Sequence, residues 1–361
     1  MISIILPTYN EADNVKVIVP EISKIFEQEH ISGEIIIVDD NSPDGTAHIA
    51  AELTEKYPVR IHVRKKERGL SKSVIKGFEL AKGDICVVMD ADLSHPVDKL
   101  PAMIDPVLQK KCDATVGSRY VHGGGCENWP FTRRLISKGA GFLAKGVTTL
   151  SDPTSGFMSI RKSAMDGTEL DSKGWKIVLE VIVKTNPRFL EVPIVFKDRR
   201  EGESKLGFKA QIDYIHHLWR LYCFKYSGPV QFFKFCLVGL SGLFVDVVVL
   251  VSFVSFLSFD PRIAAVFAFL TAVSWNYVFN RVWAFDLGRA TKLSHSYFSF
   301  FIICLIGLGI RIGVMHLLIE YAGMGKSPWY VLSSFFGIAT ATIFNFLGTK
   351  YIVFAKSLGQ N

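Results

Sequence analysis

The chain has 361 residues, of which 49% are hydrophobic, with a mean hydropathy of +0.27 and a formal net charge of +7. That is too long and too apolar for one ordinary soluble domain. The positive charge comes without an aromatic-basic RNA motif, so it excludes nucleic acid as the implied partner and favours a membrane surface. The six cysteines show no paired metal spacing, which sets structural zinc aside.

Ile2 to Leu6 is an apolar strand broken by Pro7, and Thr8-Tyr9-Asn10-Glu11 leads into a helix whose inner face is Val15, Ile18 and Ile22. A second strand, Glu34 to Val38, is closed by Asp39-Asp40-Asn41-Ser42-Pro43-Asp44-Gly45. Strands alternating with helices predict an α/β domain built on a mainly parallel, Rossmann-like sheet with right-handed crossovers. The run Ile85 to Met89 reads as a further buried strand, and Asp90-Ala91-Asp92 follows it directly. Open α/β sheets place ligands at the carboxyl ends of their strands. Side chains two apart in an extended segment share a face, so Asp90 and Asp92 reach one divalent cation if the chain bends there. Taken alone, Asp-x-Asp serves equally as an acidic loop end or a helix cap. Three polar clusters at one sheet edge, with an aromatic ring for stacking and carboxylates for base or ribose, argue instead for a nucleotide.

Through Leu6-Pro7-Thr8-Tyr9-Asn10-Glu11, Val38 to Gly45 and Met89-Asp90-Ala91-Asp92-Leu93-Ser94-His95-Pro96 the chain resembles the family-2 glycosyltransferases of GT-A type. Within them it is most similar to the polyprenyl-phosphate sugar synthases, above all those that make dolichol-phosphate mannose. Gly117-Ser118-Arg119-Tyr120, Glu127-Asn128-Trp129-Pro130, Arg133 with Ser137, Asp152 to Phe157, and Arg199 followed by Gly202-Glu203-Ser204-Lys205 carry that likeness. The resemblance implies a nucleoside pocket of Pro7, Tyr9, Glu11, Val38 and Asp40, and a donor diphosphate held by Asp90, Arg199 and Lys205. It implies Mg²⁺ or Mn²⁺ on Asp90 and Asp92; Ser94 stands where the family usually carries Gln, which puts the third protein ligand in question. The implied reaction is inverting transfer of mannose from GDP-mannose to dolichyl or polyprenyl phosphate, with Asp92, Arg119 and Arg133 as the catalytic set. A phosphate monoester, with its second ionisation at about pKa 6, is anionic near neutrality and needs no strong base. It needs cations, which Arg119 and Arg133 supply to the acceptor phosphate with the hydroxyl of Ser137. UDP-glucose is the rival donor, and a lipid-sugar flippase is the rival from another class.

After Gly228-Pro229 charge nearly vanishes. Phe232 to Leu257, Arg262 to Phe285, Tyr297 to Ile319 and Trp329 to Phe354 each approach the ~20 residues that cross a bilayer, edged by Trp275, Trp283, Trp329 and Tyr330. Lys225, Lys234, Arg289, Lys292, Lys350 and Lys356 fall on one side, against Arg262 and Lys326 on the other. The positive-inside rule therefore predicts both termini and the catalytic half in the cytoplasm, and the strand at the N-terminus does not read as a cleavable signal peptide. The expected organisation is 1–206 catalytic, 207–228 an amphipathic linker helix that either lies in the membrane interface or packs on the catalytic domain, and 229–361 a four-helix membrane domain; Trp129 to Leu143 is a second interfacial candidate. His216 and His217 are expected at the surface. Cys236-Leu237-Val238-Gly239-Leu240 recurs as Cys304-Leu305-Ile306-Gly307-Leu308, and Asn276, Arg281 and Phe285 recur as Asn345, Lys350 and Phe354. Two duplicated hairpins are the simplest reading, similar to the GtrA-like membrane domains. Asp246 and Arg311, costly at bilayer depth, are expected to pair between the first and third spans.

Overall fold

The structure, a computed structural model, describes residues 1–66, 68–127, 129–170, 176–197, 208–285, 293–324 and 329–354. Asn128, Arg199, Gly202, Lys205, Arg289, Lys292, Lys326 and Lys356 lie outside the described residues. The chain divides into two units, Met1–Lys225 and Tyr226–Asn361.

In the first unit, in chain order, β1 (Ile2–Thr8), α1 (Ala12–Gln28), β2 (Gly33–Asp39), α2 (Thr46–Leu53), β3 (Val59–Val63), α3 (Leu70–Leu80) and β4 (Ile85–Val88) are followed by α4 (Leu100–Leu108), β5 (Ala114–Ser118), β6 (Gly125–Cys126) and α5 (Phe131–Ala144). Then come β7 (Met158–Arg161), α6 (Ile177–Thr185), β8 (Phe189–Pro193), β9 (Val195–Phe196) and α7 (Phe208–Lys225). Seven strands form one sheet in the order β3-β2-β1-β4-β7-β5-β8. All neighbours are parallel except β7, which runs against both β4 and β5. The strands' period of two sends Ile4, Leu6, Ile35 and Ile37 to a core beneath α1, α2 and α4, and Ile5, Ile36 and Val38 to a core beneath α3 and α6. Reversal of β7 has a functional consequence: the start of that strand, preceded by Asp152 to Phe157, lies at the edge where β1, β2, β4 and β5 end.

The segment expected as a separate linker helix packs with the first unit. Leu218 and Leu221 of α7 join Ala144, Val147, Leu179 and Val183 in a small core, Tyr214 Oη donates to Ala140 O at 2.8 Å, and Tyr222 Oη to Leu143 O at 2.9 Å. His216 is exposed as expected, but His217 is buried, its Nε2 3.2 Å from Glu180, which also pairs with Lys184 Nζ at 2.8 Å. Helical geometry divides the two neighbours between opposite faces, one of which is the packed face. Ile212, Ile215, Trp219 and Phe224 of α7 and Phe131, Leu135 and Phe142 of α5 remain exposed.

The second unit contains α8 (Ser227–Leu257), α9 (Pro261–Phe279), α10 (Leu293–Tyr321) and α11 (Trp329–Gly348). Four of its helices are long and apolar enough to cross a membrane. Its two hairpins repeat, in a register the sequence echo misses. Asn276 of α9 lies so close to Gly242 of α8 that a Cβ on the glycine would fall inside the amide, and Asn345 of α11 lies likewise against Gly307 of α10. Gly239, the echo's counterpart of Gly307, faces open space. The echo is out of step by nearly one helical turn (239 to 242), which keeps the residues on one stripe and explains how it deceives. Both second helices end in a π-helical turn, Asn280–Ala284 and Thr349–Val353, before Phe285 and Phe354. Phe346 packs on Phe235 and Phe285 of the other hairpin, and Tyr277 reciprocally on Phe300 and Phe354, so an aromatic cluster fills the middle.

Asp246 and Arg311 occupy equivalent positions in this register, each four residues beyond its glycine (242 to 246, 307 to 311). Among the described residues no ion pair joins them, contrary to expectation. Close packing runs α8 on α9 and α10 on α11, and Arg311, an exposed residue, meets Gly337 of α11 through its carbonyl oxygen and Cγ. Equal depth does not make two helices neighbours.

Candidate active site

The strand ends and the chain entering β7 line a cavity of about 1160 Å³. Pro7, Tyr9, Glu11 and Asp40 line it. Asp40 is tied down: Oδ1 accepts from Arg64 Nη1 and Ser73 Oγ, each at 2.8 Å, and Oδ2 from the Gly69 N–H at 2.7 Å. Three donors on one carboxylate fix the turn into α3, and with it Arg68, whose Nη1 donates to Tyr9 Oη at 2.9 Å while its guanidinium covers the ring at 4.9 Å. Val38 does not line the cavity. Alternation along β2 seals its side chain into the core with Ile5 and Val74.

The acids owe their placement to a bend. Leu93 sits at φ +62°, a region that costs a non-glycine residue about 1–3 kcal/mol and is characteristic of functional sites. The turn brings the Ser94 N–H and Oγ back to Asp92 Oδ1, at 3.1 and 2.5 Å, and His95 Nδ1 back to the Asp90 N–H at 3.0 Å. His95 is buried, stacked on Phe157 at 5.3 Å and edge-on to Phe196 at 5.6 Å. Gly156 makes room: a Cβ there would stand 3.2 Å from both Asp90 Oδ2 and His95 Cε1. Asp90 and Asp92 both line the cavity; Ser94 does not, and its hydroxyl is engaged with Asp92. Among the described residues no group of three or more His, Cys, Asp or Glu gathers as a metal cluster. Two carboxylates at a cavity wall suit a hard divalent ion that completes its shell with phosphate oxygens and water.

Arg119, Arg133 and Ser137 line the same cavity. Arg119, directly after β5, is buried and grips Asp152 with Nε at 2.6 Å and Nη2 at 2.7 Å; Nη2 also reaches Thr154 Oγ1 at 2.6 Å. Among the described residues its Nη1 makes no hydrogen bond, leaving that edge for a ligand. Burial opposes the charge of Arg119, but the Asp152 carboxylate outweighs it and raises the guanidinium above its ordinary value. Thr154 Oγ1 continues to Ser137 Oγ at 3.3 Å, and the Arg133 guanidinium lies 4.1 Å from the centre of the Trp129 ring. Arg199 and Lys205 lie outside the described residues.

Sequence reasoning gave no role to Lys176, which lines the cavity and donates to Thr154 O at 2.8 Å. It stands in no motif, and only the tertiary fold brings it near Asp90 and Arg119. Burial and then Arg119 push it down to about 8, with Asp90 and Asp152 opposing. Its charge is therefore present below that pH and lost above it. Apparent affinity for phosphate substrates is expected to fall between about pH 7 and 9, and Lys176→Arg, charged throughout, should remove that limb. Superimposable pH profiles of KM for the two proteins would refute a role for this ammonium.

Residues 3–167 match the family described as Glycosyl transferase family 2, and residues 234–354 match the GtrA/DPMS transmembrane domain. A dolichol-phosphate mannosyltransferase of Pyrococcus furiosus is 37% identical over 358 residues, spanning 98% of this chain and 97% of that one. The chain belongs to the family-2 glycosyltransferases. The transferase is also similar to the dolichol-phosphate mannosyltransferase of Saccharomyces cerevisiae, 40% identical over 238 residues, 63% of this chain and 88% of the relative. Among solved structures, mannosyl-3-phosphoglycerate synthase from Rubrobacter xylanophilus covers 62% of this chain and 74% of its own at TM-score 0.49 and 19% identity. The enzyme thus joins a GT-A catalytic domain to a transmembrane domain, and it is an integral membrane protein.

Proposed function

We propose that the transferase moves mannose from GDP-mannose to the phosphate of dolichol or another polyprenol. One cavity lined by both the acid pair and two guanidinium groups carries this reading. Its similarity, along 98% of its length, to a dolichol-phosphate mannosyltransferase supports it. The Tyr9 ring, braced by Arg68, takes the nucleoside with Pro7, Glu11 and Asp40. Asp90 and Asp92 would hold Mg²⁺ or Mn²⁺, which would neutralise charge on the leaving diphosphate, with Arg199 and Lys205 assisting. Ser94 orients the Asp92 carboxylate, and His95 fixes the Asp90 backbone through its N–H. The acceptor phosphate docks on Arg119 Nη1, Arg133 and Ser137, and one of its oxygens bonds to the anomeric carbon as the bond to GDP breaks. Attack from the opposite face inverts that carbon. No proton has to be removed from the nucleophile, because the phosphate is already ionised.

The cavity wall continues into Ile136, Leu143, Tyr214 and Ile215 of α5 and α7, an apolar path for the polyprenyl chain. The exposed apolar faces of those helices rest on the membrane interface. The basic residues at the span ends support a cytoplasmic catalytic unit with both termini on that side.

Membranes carrying the protein, incubated with labelled GDP-mannose or UDP-glucose and dolichyl phosphate, test the reading. A mannolipid formed only from GDP-mannose is expected. A glucolipid from UDP-glucose would transfer the assignment to that donor, and no lipid product from either would favour a transporter. Arg133→Ala should raise the apparent KM for dolichyl phosphate by roughly ten- to a hundredfold, the ~1.5–3 kcal/mol of a charge-assisted bond, and spare that for the donor. A shift in donor KM instead would move Arg133 to the diphosphate site.

A further inference from the structure

Trp129 is flanked by both cations of the acceptor site. The Arg133 guanidinium lies 4.1 Å, and that of Arg119 4.9 Å, from the centre of its ring, and the indole is only 8% exposed. Phe196 meets it edge-on at 5.5 Å and itself stands 5.4 Å from Arg119. Phe196 is anchored by the short β6–β9 ladder, where it pairs with Cys126, and its carbonyl accepts from the Glu127 N–H at 2.9 Å. Trp129 is thus gripped by a dedicated piece of structure, although among the described residues its buried indole N–H finds no hydrogen-bond partner. Hydrogen bonding therefore does not explain an indole here; its ring face does.

Arg119 is already held by Asp152 through Nε and Nη2, and a second carboxylate set between the two guanidinium groups would occupy more of the N–H edges a phosphate needs. An aromatic face attracts a cation through its quadrupole, with indole the strongest, and it binds the plane of the guanidinium while leaving the edge donors free. We propose that Trp129 is a positioning residue of the acceptor site, a partition whose ring packs against both Arg119 and Arg133 and orients the two toward one phosphate. The inference rests on the assignment of Arg119 and Arg133 to the acceptor phosphate.

The test is steady-state kinetics of the full-length protein in detergent, with labelled GDP-mannose and dolichyl phosphate. Trp129→Leu should raise KM for dolichyl phosphate about tenfold and leave KM for GDP-mannose unchanged. Trp129→Phe, which keeps a weaker ring face, should recover most of the loss. Site-specific replacement by tryptophans carrying one, two and three fluorines preserves shape while draining the ring face, so acceptor KM should climb with each fluorine. That series keeps the question answerable if the leucine variant does not fold. No fluorine trend, or a Trp129→Leu acceptor KM within twofold of the parent while Arg133→Ala raises it, overturns the partition and leaves the phosphate site standing. An acceptor KM that Arg133→Ala does not move overturns both.

Discussion

Asp92→Ala is expected to abolish transfer, by a factor on the order of a thousand or more at any Mg²⁺ or Mn²⁺ concentration. A metal that neutralises a leaving diphosphate is worth several kcal/mol, and each 1.36 kcal/mol is tenfold in rate. Asp92 is buried at the cavity wall and its Oδ1 accepts from the Ser94 N–H and hydroxyl, so the carboxylate is presented in one orientation. Asp90, which His95 holds by its backbone N–H and not by its carboxylate, does not replace it. Removing the carboxylate leaves two small donors to find new partners, at about 1 kcal/mol each, so the variant should still fold with a modestly lowered melting temperature. Measuring both turnover and thermal unfolding separates the effects. Metal-dependent turnover within tenfold of the parent by a well-folded Asp92→Ala protein would sink the assignment.

Arg119→Ala is expected to differ in kind from Arg133→Ala. Its partner Asp152 is fully buried, held by Nε and Nη2 and, through its own backbone N–H, by Glu191. Deleting one member of a buried pair strands the other, typically at 3–5 kcal/mol. The variant should lose that much stability as well as acceptor affinity, whereas Arg119→Ala with Asp152→Ala should be less destabilised than the sum of the single changes. Additive losses in chemical denaturation would show that the pair is not coupled. The pH dependence has a definite sign. Burial would raise the Asp152 carboxyl, but Arg119 prevails and holds it below the usual carboxylate range. The pair's contribution is therefore present above the unfolded value of about 3.9 and lost as pH falls through the lower folded value. Arg119→Ala should remove that acid limb.

The strand runs and their polar ends were legible in the sequence because they rest on local rules: the period of two in Ile2 to Thr8 and Gly33 to Asp39, and the α/β alternation that stacks carboxyl ends at one edge. The four apolar spans are equally local, a matter of length and composition. What the sequence did not determine depends on chain segments distant from each other. The reversal of β7 brings Asp152, Thr154 and Gly156 to the edge that carries Asp90 and Asp92, and no local pattern signals strand direction. The left-handed turn at Leu93 redirects Ser94 onto Asp92, in a conformation its residue type disfavours. Lys176 becomes a site residue, and Trp129 the neighbour of two cations, only because α6 and β9 fold over the cavity. In the membrane half, period alone did not distinguish Gly239 from Gly242 or reveal that Asp246 and Arg311 share a depth but not a contact. Helical repetition fixes which face a residue occupies, while the choice of facing helix is made by packing, Asn276 against Gly242 and Asn345 against Gly307.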